Sequence, residues 1–189
     1  DASYDGSKIS LTLKDTYNYK EGENSSALMA CQINESAQDV LAFKNAGALM
    51  SITVNNIPKD YTWAKLTSMT AQEKTTVPAI AGNAQIAFAG GIPTLTTTET
   101  SNSSSITINF TASSDVVTSK TFYFPLPVAE YPALELSIGN GATSKVLKTS
   151  NPQPIGFSGI LLAKRQNSFY CTYFLHNRNV ADTKSPYPI

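Results

Sequence analysis

Apolar residues return at every second position along most of this chain, a period that admits strands and little else. Ile9, Leu11 and Leu13 set the pattern, separated by Ser10 and Thr12. Side chains alternate across a strand, so each such run has one face to bury. The pattern repeats at Ala27, Met29, Cys31 and Ile33, at Val40 to Phe43, and at Ala46, Ala48, Met50, Ile52 and Val54 with Gly47, Ser51 and Thr53 opposite. Further runs are Trp63 to Met69, Ala84 to Phe88, Ile106 to Phe110, Phe122 to Phe124, Leu134 to Ile138, Val146 to Lys148 and Phe169 to Leu175. Turn-forming residues fall between them at Glu21-Gly22-Glu23-Asn24, Asn55-Asn56-Ile57-Pro58, Gly90-Gly91-Ile92-Pro93 and Asn140-Gly141. Gly and Asn tolerate positive φ, and Pro lacks the donor that a central ladder needs. About ten short strands at this spacing predict an all-β sandwich or barrel. Helical periodicity is missing from every window of about eleven residues or more. Ser36 to Phe43 and Ser158 to Lys164 are each long enough for a turn or two of helix.

Composition agrees with one core. The 189 residues are 41% hydrophobic and 15% charged, so neutral polar side chains must carry the surface, and Ser and Thr supply them at 21 each. Fourteen basic and fourteen acidic residues cancel. Nucleic acids and anionic membranes are bound largely through clustered Lys and Arg, so neither is an expected partner. The longest apolar runs, such as Gly159 to Ala163, fall far short of the ~20 residues of a spanning helix. The chain opens at Asp1 with no signal sequence or lipid-attachment cysteine, which is expected of an intracellular protein or of a processed or truncated exported one. Cys31 and Cys171 lie in apolar alternation. They fit buried thiols, or a disulfide closing a long loop.

No catalytic constellation emerges. His176 is the single histidine, so a His-based metal site or triad has no partners, and it reads as a surface or loop residue. Glu21 with Glu23, and Asp1 with Asp5 beside Gly6, lack the ligand spacing of a calcium loop and read as solvated turn residues. Gly90-Gly91 continues into Ile92-Pro93 without the Lys-Ser/Thr of a phosphate loop, and reads as a turn. We therefore expect no enzyme, no cofactor, no metal and no catalytic residue. Tyr17 with Tyr19, and Tyr61 with Trp63, sit at i, i+2 spacing on one face of an extended strand. If exposed, Tyr61 and Trp63 would form a platform for stacking on sugar rings; a buried Trp63 would count against it. Asn-x-Ser/Thr triplets begin at Asn24, Asn34, Asn102 and Asn109, and in a chain this rich in Ser and Thr such matches carry little weight.

Thr94 to Ser105 is nearly all Thr and Ser and is expected to be an exposed strand anchored by Leu95, followed by a loop. Composition shifts after Lys164-Arg165. Residues 1 to 165 read as the sandwich, and 166 to 189 as a C-terminal strand and tail, part of the same domain or an assembly segment.

Several consecutive phrases resemble the fimbrillin family, the lipoprotein-derived pilins of Bacteroidetes surface fimbriae. Ile9 to Leu13, then Tyr17-Asn18-Tyr19, Gly22 and Ala27-Leu28-Met29-Ala30, resemble its strand, tyrosine-bearing turn and "M-A" strand. Leu41-Ala42-Phe43-Lys44-Asn45-Ala46-Gly47-Ala48-Leu49 is similar to its "L-x-F-K-N-x-x-G-x-L" phrase. Pro78 to Gly82, continuing to Ile86 and Phe88, and Phe122-Tyr123-Phe124-Pro125-Leu126-Pro127, followed by Tyr131 and Leu134 to Ile138, match two more in order and spacing. On physical grounds Gly47, between Phe43 and Leu49, permits a sharp turn or bulge between core strands, and Pro125 and Pro127 place their strand at an end or an edge.

The resemblance implies a transthyretin-like antiparallel β-sandwich, a lipid-anchored precursor, and assembly into fimbriae at the cell outer membrane. In the family, proteolysis removes an N-terminal strand, and a strand of the next subunit fills the groove. Phe169, Cys171, Tyr173 and Leu175 have the alternation such a donor needs, and equally that of a final core strand. The expected partners are neighbouring pilin subunits, with a host or bacterial surface protein or glycan beyond them. The alternative is a glycan-binding surface module that does not polymerise.

Overall fold

A computed structural model describes residues 2–21, 28–32, 43–70, 77–98, 103–148, 153–155, 161–166 and 169–176. Every regular element among them is a strand. In chain order they are β1 (Ala2–Tyr4), β2 (Lys8–Leu13), β3 (Thr16–Asn18), β4 (Met29–Ala30), β5 (Lys44–Asn45), β6 (Ala48–Ile57), β7 (Trp63–Met69), β8 (Gly82–Ala89) and β9 (Ile92–Thr97). Then follow β10 (Ser105–Asn109), β11 (Val117–Leu126), β12 (Ala129–Tyr131), β13 (Ala133–Gly139), β14 (Ser144–Lys148), β15 (Gln153–Ile155), β16 (Leu161–Gln166) and β17 (Phe169–His176).

Three sheets carry the fold. Their orders are β1-β2-β8-β9, β14-β13-β7-β10-β3 and β11-β6-β17-β16, with the small pairs β12-β15 and β4-β5 beside them. Only β3 joins its neighbour β10 in parallel; the other ladders are antiparallel. The inner faces meet in one apolar cluster, as the alternation requires. Leu13, Ala84, Ile86 and Leu95 come from the first sheet, and Ala64, Leu66, Ile106, Ile108, Leu134, Leu136 and Ile138 from the second. Met50, Ile52, Val54, Phe122, Phe124 and Leu126 come from the third. The architecture is an all-β sandwich.

Among the described residues seventeen segments replace the expected ten, because the extra ones are mostly two or three residues long, too short to show a period. Two other expectations are corrected. Of Ser158 to Lys164, the residues up to 160 lie outside the described ones, and Leu161 to Lys164 belong to β16 and form no helical turn. The turn expected at Asn55 to Pro58 falls later, at Lys59 and Asp60, because Ile57 is buried and its ladder with Val117 prolongs β6. Asn56 stays in that strand at φ 55°, a conformation Asn tolerates, and drops out of the pairing between Val117↔Ile57 and Ser119↔Asn55. The remaining expectations at Ser36 to Ala42, Val40 to Ala42, Ala27, Ile33, Gly22, Glu23, Asn24, Asn34, Asn102 and the tail after His176 lie outside the described residues.

Other turns follow the sequence. Gly90 and Gly91, at φ 58° and 75°, form the two-residue loop between β8 and β9, where a primed turn suits the twist of the strands. Asn140 Oδ1 accepts bonds from the Ala142 and Thr143 amides and the Thr143 hydroxyl, closing β13 onto β14. Prolines stand where a missing donor is tolerated: Pro125 in β11 and Pro93 in β9 are both on sheet edges. Leu95 is buried as the anchor of β9, as expected.

A corner ties the first sheet to the third. The Leu95 amide donates to the Ala46 carbonyl at 2.6 Å, and the Val128 amide donates to the Leu95 carbonyl at 3.0 Å. Gly47 lies inside this corner, where an added Cβ would stand 2.7 Å from the Leu126 carbonyl oxygen and 3.0 Å from Leu95 Cδ2. Just beyond it, Tyr131 is fully buried and its hydroxyl donates to the Pro127 carbonyl at 3.0 Å, while burial pushes its ionisation far up. Gly47→Ala should therefore force backbone apart and cost about 1–3 kcal/mol. Denaturant unfolding checks this: the midpoint falls and the slope is unchanged.

Candidate assembly site

Strand β6, with β11 one of the two ten-residue strands of the third sheet, is buried on both faces over its first half. Met50, Ile52 and Val54 point into the core; Leu49 and Ser51, on the other face, are also covered. Its first neighbour is β11, in the register Phe122↔Ile52, Phe124↔Met50 and Leu126↔Ala48. The first two pairs set large side chains opposite one another, a cross-strand contact that stabilises a sheet. On the outer face the Thr53 and Thr121 hydroxyls bond at 2.9 Å.

Its second neighbour is β17. Cys171, Tyr173 and Leu175 stand opposite Val54, Ile52 and Met50, while Thr172 stands opposite Thr53. Strand β16 covers the far side of β17, in the register Leu161↔Phe174 through Gln166↔Phe169. The run Phe169, Cys171, Tyr173 and Leu175 is therefore part of an interior strand, one half of a C-terminal hairpin laid against β6. His176 ends that strand, opposite Leu49.

The opposite edge, β11, is guarded. By alternation Lys120 shares the inward face with Phe122, at the open end of the sandwich. Its ammonium lies 3.8 Å from the centre of the Tyr19 ring and 5.8 Å from that of Phe110. Both rings pack on Phe122, with centroids 5.6 Å and 5.4 Å away. Burial raises the Tyr19 hydroxyl's pKa, helped by the charge of Glu21 and by Tyr123. An inward lysine and a proline on an edge strand are devices that discourage a stranger strand from adding there. Sequence reading missed this cap, because Tyr19, Phe110 and Lys120 are far apart in the chain. The one visible signal was a lysine at an inward position of an otherwise apolar alternation.

The remaining singled-out residues are placed as follows. Tyr61 is only 7% exposed, and Trp63 is half-buried at the start of β7. Together they present no open aromatic platform: Tyr61 belongs to the core cluster, and its ring has no face left for a sugar. Tyr17 is half-buried, with its pKa raised by burial and then by Asp15. Cys31 is a half-buried free thiol, and Cys171 takes its place in β17. Phe43, expected beside the core, is 56% exposed just before β5, whereas the next residue, Lys44, turns back to donate to the Gly91 carbonyl at 3.1 Å. Among the described residues, no group of three His, Cys, Asp or Glu side chains could hold a metal ion. No helix among them is long and apolar enough to cross a membrane.

Asp5, expected to be a turn residue, is the acceptor that closes the β1–β2 hairpin. One carboxylate oxygen takes bonds from the Lys8 amide, the Ser7 amide and the Ser7 hydroxyl, at 2.8, 2.8 and 2.9 Å. These bonds, led by that of Lys8, hold its pKa below the ordinary 3.8.

Comparison with protein-family models, with curated proteins and with solved structures gives no match.

Two expectations follow. Lys120→Ala should lose roughly 0.5–2 kcal/mol of cation–π stabilisation and leave the β11 edge prone to self-association. Denaturation and size-exclusion chromatography read the two effects separately. For Asp5, the folded pKa is depressed, so its contribution is complete above the ordinary value and fades as pH falls through the lower folded midpoint. Carboxyl NMR titration should place that midpoint below 3.8, and Asp5→Ala should speed amide exchange at Ser7 and Lys8.

Proposed function

We propose that this chain is a structural or adhesive subunit of bacterial surface fimbriae, assembling by exchange of its C-terminal strand with a neighbouring subunit. The observation that carries the reading is the position of β17 between β6 and β16. Among the described strands, β16 and β17 come last as one hairpin, and β6 is the only other strand that β17 pairs with. Lifting that hairpin away would turn β6 into an open edge, with Met50, Ile52 and Val54 facing an unfilled groove. Strand addition restores main-chain bonds and refills alternate side-chain positions, so the same hairpin from another copy would fit the same register. The guarded β11 edge leaves β6 as the acceptor. The resemblance of the phrases between Ile9 and Ile138 to fimbrillins supports the same reading, and with it a transthyretin-like topology, export as a lipid-anchored precursor and a place at the outer membrane.

Thr172 faces Thr53 across the β17–β6 ladder, which offers a test. In a Cys31→Ser, Cys171→Ser background, Thr53→Cys with Thr172→Cys should cross-link β17 to its own β6 on oxidation. The reduced protein, held at high concentration, should give a ladder of multimers on unboiled denaturing gels. Oxidation beforehand should leave a monomer. Should the reduced form also remain monomeric while folded, or the oxidised form polymerise equally, strand exchange through β17 would be abandoned.

A further inference from the structure

We infer that the outer face of the β1-β2-β8-β9 sheet is a binding groove for an uncharged oligosaccharide. This inference is independent of how subunits assemble. The groove is shallow, about 290 Å³, and is lined by Ser3, Ser10, Leu11, Thr12, Asn83, Ala84, Gln85 and Thr98. Leu11 and Ala84 alternate towards the core, so hydroxyls and amides dominate the surface presented.

Register organises those groups. Ser3, Ser10 and Gln85 stand opposite one another on three adjacent strands, and Thr96 of β9 extends their row. One step along on the same face, Thr12 stands opposite Asn83, whose carbonyl holds the Thr98 amide at 2.9 Å and the Thr98 hydroxyl at 3.3 Å. Two rows of neutral polar groups therefore cross the sheet, with strands ~4.8 Å apart and rows ~6.8 Å apart. Among the described residues, the side chains of Ser3, Ser10, Thr12 and Gln85 make no hydrogen bond within the fold. They are donors and acceptors held on strands, which fix position better than loops do.

The lining chooses the ligand class. It contains no Asp, Glu, Lys, Arg or His, so nothing in it neutralises a phosphate, a carboxylate or an ammonium. It contains no aromatic ring and little apolar surface, so a hydrophobic molecule would gain nothing there. Groups that both donate and accept, in rows on a nearly flat face, complement a molecule that does the same along its length. A chain of neutral pyranose rings has that property. Without a stacking ring the affinity is expected in the millimolar range.

The test uses the full chain, isotope-labelled, titrated with uncharged gluco-, galacto- and manno-configured hexasaccharides. At least one should shift the amide signals of Ser3, Ser10, Thr12, Asn83, Gln85 and Thr98 saturably, with the same dissociation constant at low and high salt. Gln85→Ala and Ser10→Ala, each with an otherwise unchanged spectrum, should weaken binding roughly three- to tenfold, as expected for one neutral hydrogen bond. Thr118→Ala, on the edge strand of another sheet, should leave it unchanged. Absence of any saturable shift, shifts mapping elsewhere, affinity that falls with salt, or variants that bind as well as the parent would each overturn the inference.

Discussion

The fold hinges on a corner where three backbones meet without a side chain between them. Leu95 gives its amide to Ala46 and takes the amide of Val128, and so fastens the edge of one sheet to the start of β6 and the end of β11 in another. Buried backbone groups left unpaired are costly, so these two bonds satisfy Leu95 as well as join the sheets. The approach requires Gly47, because any Cβ there would press on the Leu126 carbonyl and the Leu95 side chain. Tyr131, bonded to the Pro127 carbonyl, braces the same turn from inside the core.

From that corner the two long strands β6 and β11 run out together, and their paired aromatic and aliphatic residues supply much of the interior. The apolar row ends at Phe122, where Tyr19 and Phe110 close over it and Lys120 lies above both rings. One buried side chain stands outside this economy of matched groups. Among the described residues, the Ser68 hydroxyl, 2% exposed in the residue as a whole, finds no hydrogen-bond partner.

Period-two alternation made the long strands legible: β2, β6, β7, β8, β10 and β13 lie where apolar residues recur, because each has a face against the core, and β17 lies where the same alternation placed a strand. Glycine pairs and edge prolines were legible for equally local reasons. What escaped was decided at a distance. Asn55 to Pro58 carries turn residues, yet the burial of Ile57 carries the strand through them. Tyr61 and Trp63 have the spacing of a platform, but spacing does not say which face meets solvent, and Tyr61 meets the core. Phe43 shows the converse, an aromatic in an apolar phrase that ends up outside. The position of β17 beside β6 joins segments from opposite ends of the chain, which no local pattern encodes. The hydroxyl rows on the first sheet were invisible for the same reason: Ser3, Ser10 and Gln85 become neighbours only through register.

The pairing of β6 with β17 also sets a timetable for synthesis. Everything from Pro58 to Ser168 must leave the ribosome after β6 does and before its second neighbour exists. Until β11 emerges both sides of β6 are unmatched, and from then to the end of the interval one still is; such a species is apt to aggregate, and its closure is a long-range contact of the slow kind. The cell that makes this protein must therefore shelter β6 during elongation or delay its folding until release.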